Sequence, residues 1–476
     1  MERIRHVIDG GLKDSATGAT FMTTNPYTRE PWAEVALGGE REVRAAIDAA
    51  RRAFDEGPWG RMPVAERVTL LHRFADLLER DAPELSRMDT LDMGKPYGDG
   101  SGADVAGNAS HLREHAEHAR LATAPTFPGN GRHHIFSQYE AAGVVAAITP
   151  WNLPVLMAVS KLGPALAWGN TVVLKPAEQS PAAATRLALL ALEAGVPPGV
   201  VNVVHGFGPG AAGEALASSP GIDRLTFTGS TAAGAAIGML AARHLVPVLL
   251  ECGGKGPSII FADADPELAI PMSAMAAFAN SGQLCVAGSR VYAQRPVYEE
   301  VVRGLVEQAR AWVVGDPMDP ATRLGPLATG EQFARVQGFL EEIPAAGGTI
   351  LTGGAIPGGW LVRPTVVTGL APGARACREE IFGPVVVVTP FDTDDEVVAL
   401  ANDTEFGLSA SCFTRDRGRA HEMADRLRAG IVWVNTFGVR DWRAPFGGYR
   451  RSGVGREGAE HSRAFYTEAK TVVLGY

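Results

Sequence analysis

Between residues 143 and 250, short and mostly apolar runs alternate with longer segments of helical period. This alternation constrains the chain more than any other feature. The runs fall at 143–148, 171–174, 200–204, 225–228 and 246–250, and the helical segments at 155–168, 181–194, 211–217 and 232–242. Strands covered on both faces read as near-unbroken apolar runs, so the spacing predicts a parallel, doubly wound sheet. Ligands of such sheets bind beyond the carboxyl ends of the strands. A second round follows at 258–261, 267–279, 290–293, 297–313, 333–343, 385–390, 394–402, 420–427 and 431–434, and predicts a second α/β domain.

Around these rounds lie simpler pieces. Residues 1–35 read as short strands and turns, and apolar stripes predict helices over 39–54, 64–85 and 103–122. The last of these carries His111, Arg113, His115 and His118 without carboxylates at ligand spacing, which reads as a solvated or pocket-facing surface and not a metal site. Residues 134–140 alternate as a strand that extends from the main body. The apolar strand at 469–474 finds no local partner, which suits pairing with another chain.

A chain of 476 residues exceeds one hydrophobic core. Its formal charge of −9 excludes the basic face that a nucleic acid or an anionic membrane needs. Cys252, Cys285, Cys377 and Cys412 are scattered, with no CxxC and no histidine at ligand spacing. They form neither a disulfide framework nor a zinc site, and they suit a reducing compartment. No apolar leader opens the chain and no window reaches ~18 apolar residues. A cytoplasmic protein without a membrane partner is expected.

The chemistry concentrates between residues 248 and 286. Glu251 ends an apolar strand, and Cys285 sits in a small polar loop after an Ala/Met-rich helix. A thiol and a carboxylate so placed suit covalent chemistry at a carbonyl, the thiolate attacking and the carboxylate later activating water. Taken alone they equally suit a capping acid and a small core residue. Two glycine signatures compete for a dinucleotide. Gly208-Pro209-Gly210-Ala211-Ala212-Gly213 matches GxGxxG but lacks an acid about twenty positions on. Phe227-Thr228-Gly229-Ser230 ends a strand and opens a helix whose N-terminus would suit a pyrophosphate. Lys175-Pro176-Ala177-Glu178 ends another strand, and Glu178 would accept from a ribose diol while repelling a 2′-phosphate, favouring NAD over NADP. Pro150-Trp151-Asn152-Leu153-Pro154 is a rigid turn able to aim the Asn152 amide at an oxyanion.

In order and spacing these motifs resemble the aldehyde dehydrogenase superfamily along nearly the whole chain. The resemblance includes Glu251-x-Gly253-Gly254-Lys255 and Gly282-Gln283-x-Cys285. It continues through Glu379-Glu380-Ile381-Phe382-Gly383-Pro384-Val385 and Pro445-Phe446-Gly447-Gly448-Tyr449-x-x-Ser452-Gly453-x-Gly455-Arg456-Glu457. It implies an α/β fold with a doubly wound, parallel-sheet cofactor domain (1–122 and 142–253), an α/β catalytic domain (254–455) and a β-arm for oligomerisation (123–141 and 456–476). By the same resemblance Cys285 is the nucleophile, Asn152 the oxyanion donor and Glu251 the deacylating base. NAD contacts fall to Trp151, Lys175, Glu178, Gly208, Gly229, Ser230, Glu380 and Phe382. The implied partners are a small-molecule aldehyde and further copies of the chain, as a homodimer or homotetramer. Relatives that hand the acyl group to coenzyme A lack the glutamate, so Glu251 implies hydrolysis.

Three departures bear on substrate. Ser160 stands beside the channel where many members carry Trp. The loop Gly438-Val439-Arg440-Asp441-Trp442-Arg443 resembles the muconic-semialdehyde branch, and Arg113 matches a second arginine of that branch. Arg440 and Arg113 would grip a substrate carboxylate; the alternative is a surface pair of Asp441 with Arg440 or Arg443. Neutral aldehydes, a thiol esterase and a non-catalytic relative are the competing readings.

Overall fold

Five strands of the first alternation lie side by side and parallel. Their order is Val248–Glu251, Arg224–Thr228, Val144–Ile148, Thr171–Lys175 and Val201–Val203, with short antiparallel strands at both edges. The structure, a computed structural model, describes residues 1–97 and 101–476, and the side chains of all of these except 101–104. Alternate residues of Val144–Ile148 and of Thr171–Lys175 enter different cores. Val145 and Ala147 pack with the helices Pro154–Ala167, Ala182–Ala194, Val64–Arg80 and Ser101–Leu121. Val144, Ala146 and Ile148 pack with Glu40–Asp55, Ala212–Ala217 and Thr231–Ala242. A fully buried Val or Ile side chain among them contributes about 1.5–3 kcal/mol. Both faces are covered, which is why the runs carry no polar alternation.

Chain order reverses between Val144–Ile148 and Arg224–Thr228. Here the connections leave in opposite directions and open a crevice at the strand ends. The motifs starting at Thr149 and Gly229 sit at its two lips.

The second alternation forms a seven-stranded sheet in the order Thr349–Ala355, Val362–Thr368, Val385–Phe391, Arg290–Gln294, Pro257–Ile260, Ser409–Phe413 and Ile431–Val434. Its first pair is antiparallel, and neither strand of that pair was expected. Gly353 and Gly354 take left-handed backbone where the register shifts, and they break the period-2 pattern that would have marked the hairpin.

Other expectations need correction. The helix over 64–85 is two helices, Val64–Arg80 and Ala82–Met93, because Pro83 has no N–H to continue the first but suits the opening turn of the second. The strand Thr467–Gly475 pairs along nine residues with His133–Ala141 of its own chain. Nor is residue 455 a boundary. Gly453–Val454 already pairs with Val248–Glu251 of the first sheet, and the helix Ala459–Tyr466 sends Tyr466 into the first core. Of 456–476, only Thr467–Gly475 belongs to the arm sheet. His111 and His115 are buried, not solvated.

Candidate active site

Asn152 is fixed from both ends. Pro150 precedes it and Pro154 begins the next helix, so the turn between has little freedom. Its Nδ2 donates to the Gln283 carbonyl at 2.8 Å, and its own carbonyl accepts from Asn280 Nδ2 at 2.9 Å. The amide therefore hangs directly beside the cysteine loop.

That loop is unusual backbone. After the helix Pro266–Phe278, Asn280, Ser281 and Gly282 have φ of 52°, 56° and 69°. Left-handed non-glycine residues cost on the order of 1–3 kcal/mol each and need support. Ser281 Oγ donates to the Gly325 carbonyl at 2.8 Å, and Gln283 Oε1 accepts from the Ala328 N–H at 2.9 Å. A β-carbon on Gly282 would stand 2.2 Å from the Gly383 backbone, so only glycine allows the two segments to meet. The loop holds the Cys285 thiol at the wall of a cleft of about 1020 Å³ between the two sheets.

Glu251 ends its strand in the same cleft, 4 % exposed, with neither carboxylate oxygen hydrogen-bonded among the described residues. Burial, reinforced by the Glu457 charge, pushes its pKa well above the carboxylate range, against Lys161, Arg440 and Arg456. Burial, with Glu380 and Glu251, likewise pushes the Cys285 thiol up to about 12. Burial thus disfavours the charged forms of both groups.

The other side of the cleft is built from the strand-end motifs. The Gly229 N–H donates to the Glu251 carbonyl at 3.0 Å, and Ser230 caps the helix Thr231–Ala242, its side chain accepting from the Ala233 N–H at 3.2 Å. Glu380 accepts from the Gly254 N–H at 2.9 Å, and burial raises its pKa to about 7. Phe382 has φ of 57° and meets the Trp151 ring edge-on at 5.3 Å. Lys175 Nζ pairs with Glu178 at 3.2 Å on the next strand end. The Gly208 carbonyl accepts from the Glu214 N–H at 3.0 Å in the loop after Val201–Val203. Lys175, Glu178 and Gly208 lie outside the cleft wall that Trp151, Gly229, Ser230, Glu380 and Phe382 share with Cys285.

The three residues expected on the substrate are placed otherwise. Arg113 pairs with Glu79 and Asp76, both at 2.6 Å, on the helix Val64–Arg80. It is His111 that faces the loop, because residues two apart on a helix point to nearly opposite sides. Ser160 is 2 % exposed and donates to the Met157 carbonyl, and it is Met157 that lines the cleft. Arg440 bonds Glu457 at 3.0 Å, while the surface pair is Arg443 with Asp441.

Sequence reasoning missed several supports. Lys161, with no side-chain exposure, pairs with Glu457 at 2.6 Å. A lysine inside an otherwise apolar helix was the available signal. Gln332 donates to the Ile381 and Phe382 carbonyls at 3.0 and 2.8 Å, and Arg335 to the Glu380 carbonyl at 2.7 Å, fixing the segment that carries both. No local pattern marks these two.

Fold and cleft together define a two-domain α/β protein in which nucleotide-type strand ends face a cysteine and a buried carboxylate. The sequence matches the model of the aldehyde dehydrogenase family over residues 13–472. It is 42% identical to 2-hydroxymuconic semialdehyde dehydrogenase of Pseudomonas sp. (strain CF600), covering 100% of both chains. It is 44% identical to the mitochondrial aldehyde dehydrogenase of Equus caballus, covering 98% of this chain and 94% of that one. The NAD+ complex of an aldehyde dehydrogenase from Bacillus cereus superposes with a TM-score of 0.97 at 41% identity, covering 100% of this chain and 97% of that one. The chain belongs to the aldehyde dehydrogenase family, and it is an oxidoreductase that acts on aldehydes.

Proposed function

We propose that Cys285, Glu251 and Asn152 carry out the oxidation of an aldehyde to its carboxylic acid through a thioester on Cys285. The hydride acceptor is NAD. The observation that carries the residue assignment is convergence: thiol, carboxylate and the strand-end motifs at Trp151 and Gly229 open onto one cleft, and the Asn152 amide hangs against the cysteine loop.

The cleft fits a dinucleotide. A β-carbon on Gly229 would stand 2.5 Å from the Phe227 ring, so the backbone is bare where the helix N-terminus presents its free N–H groups. Ser230 and these N–H groups would hold the pyrophosphate. Glu380 and Phe382 would hold the nicotinamide ribose, and Lys175 and Glu178 the adenosine ribose. NAD, when bound there, accepts the hydride.

In the first step Cys285 gives its thiol proton to solvent and the sulfur attacks the aldehyde carbon. The oxygen gathers negative charge, and the Asn152 amide and the Cys285 N–H donate to it. Loss of hydride leaves the thioester. Glu251, once ionised, takes a proton from water, whose oxygen attacks the acyl carbon; the carboxylic acid leaves and the thiol is restored.

The full-length similarity to a muconic-semialdehyde enzyme supports a carboxylate-bearing semialdehyde as substrate. The Arg113–Arg440 grip does not support it, since both guanidiniums are engaged elsewhere. The arm supports a homodimer or homotetramer, because Thr467–Gly475 leaves its outer edge unpaired and Val473 and Leu474 exposed. Four free cysteines support a cytoplasmic setting, and among the described residues no helix is long and apolar enough to cross a membrane.

The test is NADH absorbance with a panel of aldehydes and semialdehyde acids. Turnover with at least one substrate, abolished in Cys285→Ala, is the expected result. Undiminished turnover in Cys285→Ala refutes the assignment of the nucleophile.

A further inference from the structure

Four flat groups lie one on another at the edge of the active site. His111 stacks on Trp442 with ring centres 4.1 Å apart and planes 18° apart. The other layers are the Arg440 guanidinium, 4.2 Å from the Trp442 ring and 3.9 Å from the Phe446 ring. His111 is held in turn by His115, their Nε2 atoms 3.0 Å apart. A guanidinium between two aromatic rings is fixed in plane and largely desolvated, so its charge acts over a longer reach than in water.

The end of that guanidinium meets Glu457. Arg440 Nη2 lies 3.0 Å from one carboxylate oxygen and Lys161 Nζ 2.6 Å from the other. Glu457 is thus doubly clamped, and the backbone bridge between Glu457 and Phe446 ties it to the stack. Next along is Glu251, close enough that a β-carbon on Gly447 would stand 2.6 Å from its Oε1. The groups facing Glu251 are Glu457, Lys161, Arg440 and Arg456, with Cys252, Cys285 and Glu380 about the same cleft. Those facing Arg440 are Glu457, His111 and His115, and burial lowers the pKa of both histidines, leaving them neutral. The Arg440 charge also favours the Cys285 thiolate, against the larger opposing effects of burial, Glu380 and Glu251.

We propose that Arg440 is a positioning residue: pinned in the ring stack and bonded to Glu457, it supplies the positive charge that favours the ionised forms of Glu251 and Cys285. It does this for any aldehyde, charged or neutral, without touching substrate. The inference rests on the assignment of Glu251 and Cys285 to deacylation and attack.

The test uses p-nitrophenyl acetate, a neutral ester that needs no cofactor. Cys285 thiolate displaces nitrophenolate and becomes acetylated, giving a burst; water, deprotonated by Glu251, then releases acetate in the steady state. Cys285→Ala without loss of the burst, or Glu251→Gln without loss of the steady state, would sink the underlying assignment. With those controls in place, Arg440→Met is expected to move the rising limb of the steady-state rate to higher pH by roughly one unit. That is about a tenfold loss on the limb. Arg440→Lys is expected to restore the limb, and Glu457→Gln, which removes the opposing anion, to move it to lower pH. A limb that stays put in Arg440→Met overturns the proposal. So does a uniform loss at every pH, or an Arg440→Lys profile that matches Arg440→Met.

Discussion

The carbonyl oxygen of Cys285 lies 2.3 Å from where a β-carbon on Gly254 would stand. The segment that follows the Glu251 strand and the loop that delivers Cys285 thus touch backbone to backbone, and this contact sets the spacing of the two groups. Gly254→Ala must push them apart. The expected cost is about 1–3 kcal/mol of stability from overpacking. A displacement near 1 Å at the thiol would cost roughly 10²-fold in turnover. Urea denaturation and steady-state kinetics on one preparation measure both, and an alanine variant with wild-type turnover would show that the contact does not set the geometry.

Glu251 carries its pH dependence in its burial. Because burial raises its pKa, the folded protein keeps a proton that the unfolded chain releases near the ordinary carboxylate value. Between those two values folding takes up a proton, so this group's contribution to stability is full below the ordinary value and falls as pH rises through the raised one. Activity runs the other way, since only the ionised form can act as base. Glu251→Gln is therefore expected to keep the acylation burst, lose about 10²–10⁴-fold in steady-state turnover, and flatten the fall of Tm with rising pH. A variant whose Tm falls with pH as steeply as the wild type removes Glu251 as the cause.

How much of this was legible in the sequence follows from where each signal lives. Strands such as Val144–Ile148, covered on both faces, announce themselves because burial of both sides leaves an apolar run. Glu251 and Cys285 were visible because each ends a segment whose period is clear. The hairpin Thr349–Ala355 with Val362–Thr368 was not, since glycines and register shifts erase its alternation. Arg113 and His111 show a different failure. Residue type suggested an arginine on the substrate, but helical phase decides which residue faces the loop, and phase cannot be set without the packing partner. Arg440 and Glu457 lie 17 positions apart and pair across a bridge that no local pattern encodes.

Asn152 has a partner already, the Gln283 carbonyl. A substrate oxygen arriving beside Cys285 competes for that donor, and an oxygen bearing developing negative charge wins because charge-assisted bonds are the stronger. Asn152→Ala is expected to lower kcat about 10²–10³-fold, the usual cost of one oxyanion donor, with a smaller effect on KM. Presteady-state bursts locate the loss: it should fall on acylation, and an unchanged burst rate would remove Asn152 from the attack step.

The Lys161–Glu457 pair makes the sharpest stability prediction. Lys161 has no side-chain exposure and Glu457 only 12 %. Replacing the lysine leaves a carboxylate in the interior with Arg440 as its remaining ion-pair partner, and breaking a buried pair from one side costs on the order of 3–5 kcal/mol. Lys161→Met fills nearly the same volume, so cavity formation adds little and the loss reads the charge. Lys161→Met combined with Glu457→Gln removes both formal charges of the pair and should recover part of that loss, because what hurts is the unpaired anion and not the absent bond. Denaturant midpoints for the single and double variants decide it. A double variant as unstable as the sum of its parts would mean that the two side chains act independently, with no coupling across the pair.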